Sequence, residues 1–87
     1  MSILVSLQMA LNDFNWNRCR QNMDEAKQLW QEFPRKENLN PIHVQNIDVI
    51  FYCIFDTLQQ NDVSNAAENQ MQMLLTSLDI AFRILLS

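Results

Sequence analysis

The chain contains no glycine in 87 residues. Strand proteins rely on turns with positive φ, and glycine is the residue that usually supplies them. Helices can instead be joined by turns built on Asn and Asp, which are plentiful here. Apolar residues make up 48% of the chain, which is enough for a packed core. We therefore predict an all-α fold in one domain that spans residues 1–87.

Apolar residues recur every three or four positions along four stretches of the sequence. From Trp16 to Phe33 the spacing is 3, 4, 3, 4 and 3, which indicates one continuous helical stripe. Asn40 and Pro41 then provide an N-cap and a proline at the first helical position. We predict a four-helix bundle made of two antiparallel hairpins. The expected segments are hairpin one at about 2–33, a connector at 34–40 and hairpin two at about 41–86.

The third apolar stretch, from Pro41 to Gln60, has apolar residues around most of its circumference between positions 49 and 55. We therefore expect it to be the central helix of the bundle. Asn12 and Asp13 supply turn and capping chemistry before the second helix, and Asp62 is the expected N-cap of the fourth.

The second half of the chain is strongly acidic. After His43 the only basic residue is Arg83, against five Asp and Glu, and the whole chain has a net charge of −4. Phosphate backbones are bound by clustered Lys and Arg, so direct binding to nucleic acid is disfavoured.

No catalytic or cofactor motif is evident. Phosphate-binding loops need glycine, and His43 is the only histidine, with no nucleophile or orienting acid nearby. Cys19, His43 and Cys53 do not have the spacing of metal ligands. We predict a protein that is not an enzyme and uses no cofactor or metal. No apolar run reaches the ~18 residues that span a bilayer, and a basic leader is lacking, so we expect a cytoplasmic protein with free thiols.

The chain has more apolar residues than one small interior can hide. Such a surplus usually marks an interface, and the simplest partner is a second copy related by a twofold axis. We therefore predict a homodimer or larger oligomer, with a different protein partner as the main alternative. The candidate interface residues are Ile50, Phe55, Ile80 and Ile84, with Asp56 and Asp79 at the rim.

Trp16 and Ala26 ahead of a helix ended by Phe33-Pro34, and Ala66-Ala67 after an Asn-Asp turn, resemble tetratricopeptide-like helical hairpins. The chain departs from that pattern because it lacks the glycine and its internal spacing of 48 residues is longer. The resemblance implies peptide or protein binding in a groove between hairpins.

Three functions follow as expectations. The first is a non-enzymatic protein–protein interaction module that covers a surface on another protein: an adaptor, an inhibitor or an assembly factor. The second is an acidic immunity or antitoxin-type neutraliser from a phage or bacterial conflict system, which would bind a basic toxin. The third is a small-molecule or enzymatic site in the bundle core, which predicts a polar cavity near Cys19, Cys53 and Tyr52.

Overall fold

The computed structural model describes residues 2–87, and within that range the chain forms four α-helices and no strands. The helices are α1 (Ile3–Asn12), α2 (Trp16–Gln31), α3 (Pro41–Gln59) and α4 (Asn65–Leu86). The connector between α2 and α3 contains one turn of 3-10 helix at Lys36–Asn38. Helix α1 packs against α2, and α3 packs against α4. The predicted all-α bundle of two hairpins is confirmed.

Each helix contributes one apolar stripe to a shared interior. In α2 the buried residues are Cys19, Met23, Ala26 and Trp30, at the predicted spacing. In α4 the buried side chains include Met71, Leu75 and Leu78, whereas Leu74 is only partly buried. Leu74 and Leu75 differ by about 100° around the helix, so the core-facing stripe of α4 passes through Leu75.

The prediction that α3 is central is wrong. Helix α4 has two close neighbours, because its backbone runs beside both α1 and α3. Helix α3 packs closely against α4 alone and faces α2 across a wider gap that long side chains bridge. Apolar residues on the far side of α3, such as Val49, therefore face outward instead of meeting another helix.

Side-chain caps fix where the helices begin. The Asn40 side chain accepts a hydrogen bond from the Ile42 amide at 3.0 Å, as predicted. At α4 the prediction of Asp62 is wrong, since the hydroxyl of Ser64 accepts from the Ala67 amide at 3.2 Å. Asp62 lies two residues before this N-cap and accepts a hydrogen bond from the Ser64 amide at 2.9 Å.

Helix α2 begins at Trp16, after the Asn12-Asp13 pair that was expected to supply turn and capping chemistry. Its N-cap is Asn15, whose side chain accepts from the amides of Asn17 and Arg18, so the Asn12-Asp13 pair serves the preceding turn. Without glycine, the two backbone positions with positive φ among residues 2–87 are filled by Arg35 and Asn61, at 56° and 55°. Asn tolerates this region better than most residues, whereas Arg adopts it at some energetic cost.

Candidate interaction surfaces

The α3–α4 hairpin presents an exposed surface on the side that faces away from the other two helices. Ile80 and Ile84 are 53% and 52% exposed there, and Met73 is 71% exposed. Asn46 and Ile50 of α3 line the same shallow depression as Ser77, Ile80 and Ile84 of α4. We call this surface the outer hairpin face. It consists of Ile42, Asn46, Val49, Ile50, Cys53, Met73, Ser77, Ile80 and Ile84.

The outer hairpin face contains no charged side chain. Of the two acidic residues of α3, Asp48 lies on the opposite side of that helix, in the gap that faces α2. Asp56 also lines that gap, but it is only about 20° around the helix from Val49, and Arg83 is about 60° around α4 from Ile80, so charged side chains border the face. Exposed helical surfaces are normally covered by Lys, Glu, Arg and Asp. An exposed surface with apolar side chains and no charge across two adjacent helices is the kind that marks an interface.

The structure divides the six predicted interface residues between different surfaces. Ile50, Ile80 and Ile84 come together on the outer hairpin face. Phe55 and Asp56 instead line the gap between α2 and α3. Phe55 follows Ile50 by five residues, a rotation of about 140° around the helix, so the two side chains leave α3 in different directions.

Asp79 does not border the apolar depression either. It lies about 100° around α4 from Ile80. One carboxylate oxygen accepts from Nε of Arg83 at 2.9 Å, which forms an ion pair between residues four positions apart on α4. The other oxygen is buried and has no hydrogen-bond partner among residues 2–87.

A second surface feature is the cleft between α2 and α3, with a volume of about 400 Å³. Its walls combine aromatic rings with charged groups of both signs. The lining residues are Lys27, Trp30, Gln31, Lys36, Asp48, Phe51, Tyr52, Phe55, Asp56 and Gln59. Tyr52 is 75% exposed at the edge, while Trp30 is only 2% exposed and forms the floor.

Two polar contacts span the gap between α2 and α3. The indole Nε1 of Trp30 donates to Oδ1 of Asp48 at 2.7 Å. Near the opposite end, Nη2 of Arg20 donates to the backbone oxygen of Leu58 at 3.2 Å. Because the backbones of these helices are not in close contact, we expect these side-chain bonds to set the width of the cleft.

Both lysines of the cleft lie over aromatic rings. The ammonium of Lys27 is 4.8 Å from the centre of the Phe55 ring, and that of Lys36 is 4.6 Å from the Trp30 ring. These distances are within the range of cation–π attraction. Among residues 2–87 the ion pairs join Arg18 to Asp13 and Arg83 to Asp79, so neither lysine takes part in one.

The predicted polar cavity near Cys19, Cys53 and Tyr52 is not present, because these side chains lie in three different places. Cys19 is fully buried in the apolar core, Cys53 is half-buried on the outer hairpin face, and Tyr52 lies at the cleft. Burial raises the pKa of the Cys19 thiol from 9.0 to about 11, although the nearby Arg20 guanidinium partly opposes this effect. A buried, protonated thiol is a poor nucleophile.

Sequence reasoning found the apolar surplus but missed the cleft. Trp30 belongs to the predicted apolar stripe of α2, and its ring packs edge-on against Phe82 with centroids 5.2 Å apart. The indole N–H of Trp30 was the signal that could have indicated the cleft. A buried Trp needs a hydrogen-bond acceptor, and Asp48 on the next helix is a candidate.

No family model, curated protein or solved structure matches this chain. The resemblance to tetratricopeptide-like hairpins therefore stays a prediction. None of the helices in residues 2–87 combines the length and hydropathy needed to cross a lipid bilayer. Within the same range, no three His, Cys, Asp or Glu side chains are grouped closely enough to hold a metal ion.

Proposed function

We propose that this chain is a non-enzymatic protein–protein interaction module, a small adaptor, inhibitor or assembly factor, which self-associates through the outer hairpin face. The observation that carries the proposal is the absence of charge on an exposed, largely apolar surface of two packed helices. Burying such a surface is favourable at ~25 cal/mol per Å² of apolar area, so association needs no chemistry at this site.

A second copy fits this surface for an electrostatic reason. In a twofold contact each residue meets the same surface patch on the other subunit, so any net charge on the patch repels itself. The chain has a net charge of −4, and the outer hairpin face is a region of it that carries none. Two copies can therefore approach through the nine residues of this face without opposing like charges at its centre.

The dimensions of the face predict a small contact. It covers 12 residues of each helix, 42–53 and 73–84, which corresponds to a length of about 18 Å, and two helices side by side are about 20 Å wide. The projected area is about 360 Å², which is below the ~800 Å² that each partner buries in a standard complex, so we expect a weak dimer.

Light scattering coupled to size-exclusion chromatography tests the proposal with Ile80→Asp. The substitution places a charge near the centre of the face twice in each dimer, so we expect the dissociation constant to rise on the order of a hundredfold. Val63→Asp is the matched control, because Val63 is also exposed but lies in the turn before α4. A wild-type chain that is monomeric at several hundred micromolar would refute self-association, as would an Ile80→Asp variant that dimerises like the control.

The alternative of an acidic neutraliser remains a prediction. Such a protein would bind a basic partner through a uniformly acidic surface. Asp48 and Asp56, the acidic residues of α3, share their cleft with two lysines, so they do not form a purely acidic patch.

A further inference from the structure

We infer that the cleft between α2 and α3 binds a small organic anion with a flat aromatic body, held between the ammonium groups of Lys27 and Lys36. This site is separate from the outer hairpin face, and binding there does not depend on self-association. A volume of about 400 Å³ lies within the ~300–1,000 Å³ of typical small-molecule sites.

The lysines carry the preference for an anion. Only six of the 87 residues are Lys or Arg, and two of them line this one cleft. Each ammonium is held over a ring, Lys27 over Phe55 and Lys36 over Trp30, and neither is in an ion pair among residues 2–87. A cation positioned in this way keeps hydrogen-bond donors available for an incoming carboxylate or sulfonate.

The two carboxylates of the cleft are already in contact with donors. Oδ1 of Asp48 accepts from the Trp30 indole at 2.7 Å, and Oδ2 of Asp56 accepts from Nε2 of Gln60 at 3.4 Å. These carboxylates reduce the attraction for an anion, while the lysines still provide directional contacts to it. Their presence gives the site a testable feature, because removing the Asp56 charge strengthens anion binding.

The rings of the cleft select for an aromatic body. Trp30 forms the floor and Phe51, Tyr52 and Phe55 lie along the α3 side. The Phe51 and Phe55 rings are nearly parallel, with a 23° interplanar angle and centroids 6.5 Å apart. Phe51 is 4% exposed and Trp30 is 2% exposed, so the rings accessible for offset stacking are those of Tyr52 and the half-buried Phe55. Stacking on these two rings, together with apolar burial, favours a flat ligand over an aliphatic one.

The test is a titration followed by NMR of the two indole N–H signals, with 2-naphthoate as the probe. The Trp30 signal reports on the cleft floor, and the signal of Trp16, at the start of α2, is the internal reference. We expect 2-naphthoate to shift the Trp30 signal saturably and to leave the Trp16 signal in place. The neutral 2-naphthamide and the cationic 2-naphthylmethylamine should each bind at least fivefold more weakly.

Three substitutions test the charges. Lys36→Gln and Lys27→Gln should each weaken 2-naphthoate binding about fivefold, and Asp56→Asn should strengthen it by a smaller factor. Arg18→Gln is the control for a general change of net charge, because Arg18 pairs with Asp13 outside the cleft, and it should leave binding unchanged.

Several outcomes would overturn the inference. These are no shift of the Trp30 signal at millimolar probe, equal binding of the naphthamide, preference for the cation, and an unchanged dissociation constant in both lysine variants. Lys36→Arg separates charge from packing, since it keeps the cation over the Trp30 ring and should retain most of the affinity. Circular dichroism of each variant confirms that it is folded, so a loss of binding is attributable to the site.

Discussion

The hydrogen bond from Trp30 to Asp48 is the contact that we expect to hold α2 against α3, and a double-mutant cycle measures it. Trp30→Phe removes the donor, Asp48→Ala removes the acceptor, and the double variant removes both. The donor is 2.7 Å from the carboxylate, and its side chain is 2% exposed. A hydrogen bond to a charged group contributes about 1.5–3 kcal/mol when it is well shielded. Asp48 is exposed to solvent, which lowers the expected coupling energy to about 1 kcal/mol.

The single substitution Trp30→Phe should cost more than this coupling energy. The smaller ring leaves space beside Phe82 and Phe33, which contact the indole at 5.2 and 5.3 Å between centroids. Loss of apolar volume in a core typically adds about 1–2 kcal/mol. Total stability for a domain of 87 residues is about 4–13 kcal/mol, so the variant should remain folded while its unfolding midpoint falls measurably.

Urea unfolding followed by circular dichroism supplies the four free energies, at one fixed chain concentration because self-association would add to apparent stability. The coupling energy is the difference between the loss of unfolding free energy in the double variant and the sum of the losses in the two single variants. Asp24 is an exposed acid on the solvent side of α2, so Asp24→Ala combined with Trp30→Phe should be additive. A Trp30–Asp48 coupling energy below about 0.3 kcal/mol would refute the view that this bond joins the two helices.

Further predictions concern pH, caps and thiols. The pKa of Cys19 is raised by burial from 9.0 to about 11, so its contribution to stability is complete below pH 9 and is lost as the pH rises toward 11. In that range we expect the free energy of unfolding of the wild-type protein to fall by up to about 1.4 kcal/mol per pH unit relative to Cys19→Val. If the free energies from urea unfolding changed with pH in the same way for both proteins, the prediction would be contradicted. Ser64→Ala and Asn40→Ala should each lower the free energy of unfolding by about 1 kcal/mol; a loss at Ser64 below about 0.2 kcal/mol would mean that its hydroxyl is not the cap. Alkylation of Cys53, on the outer hairpin face, should slow as the chain concentration rises through the dimer dissociation constant, whereas a rate independent of concentration would argue against a dimer through that face.

The predicted helices were right in number, order and approximate bounds, because each depends on a local pattern. The stripe from Cys19 to Trp30 and the Asn40 cap involve residues within one or two helical turns of each other. The prediction of a helix start was wrong where two neighbouring residues could each serve as the N-cap. Asp62 and Ser64 can both cap a helix, and the choice depends on the backbone conformation of the turn, where Asn61 adopts positive φ.

The pattern of apolar and polar residues alone determined that this chain forms four amphipathic helices and that some apolar side chains remain outside. It could not determine which of them share a surface, because that depends on which helices become neighbours. Only the tertiary structure placed Ile50 beside Ile80 and Ile84, moved Phe55 into the cleft, and put Trp30 within hydrogen-bonding distance of Asp48. The physical reason is that helical periodicity is set by contacts a few residues apart, whereas the pairing of helices is decided by packing between segments that are distant in the chain.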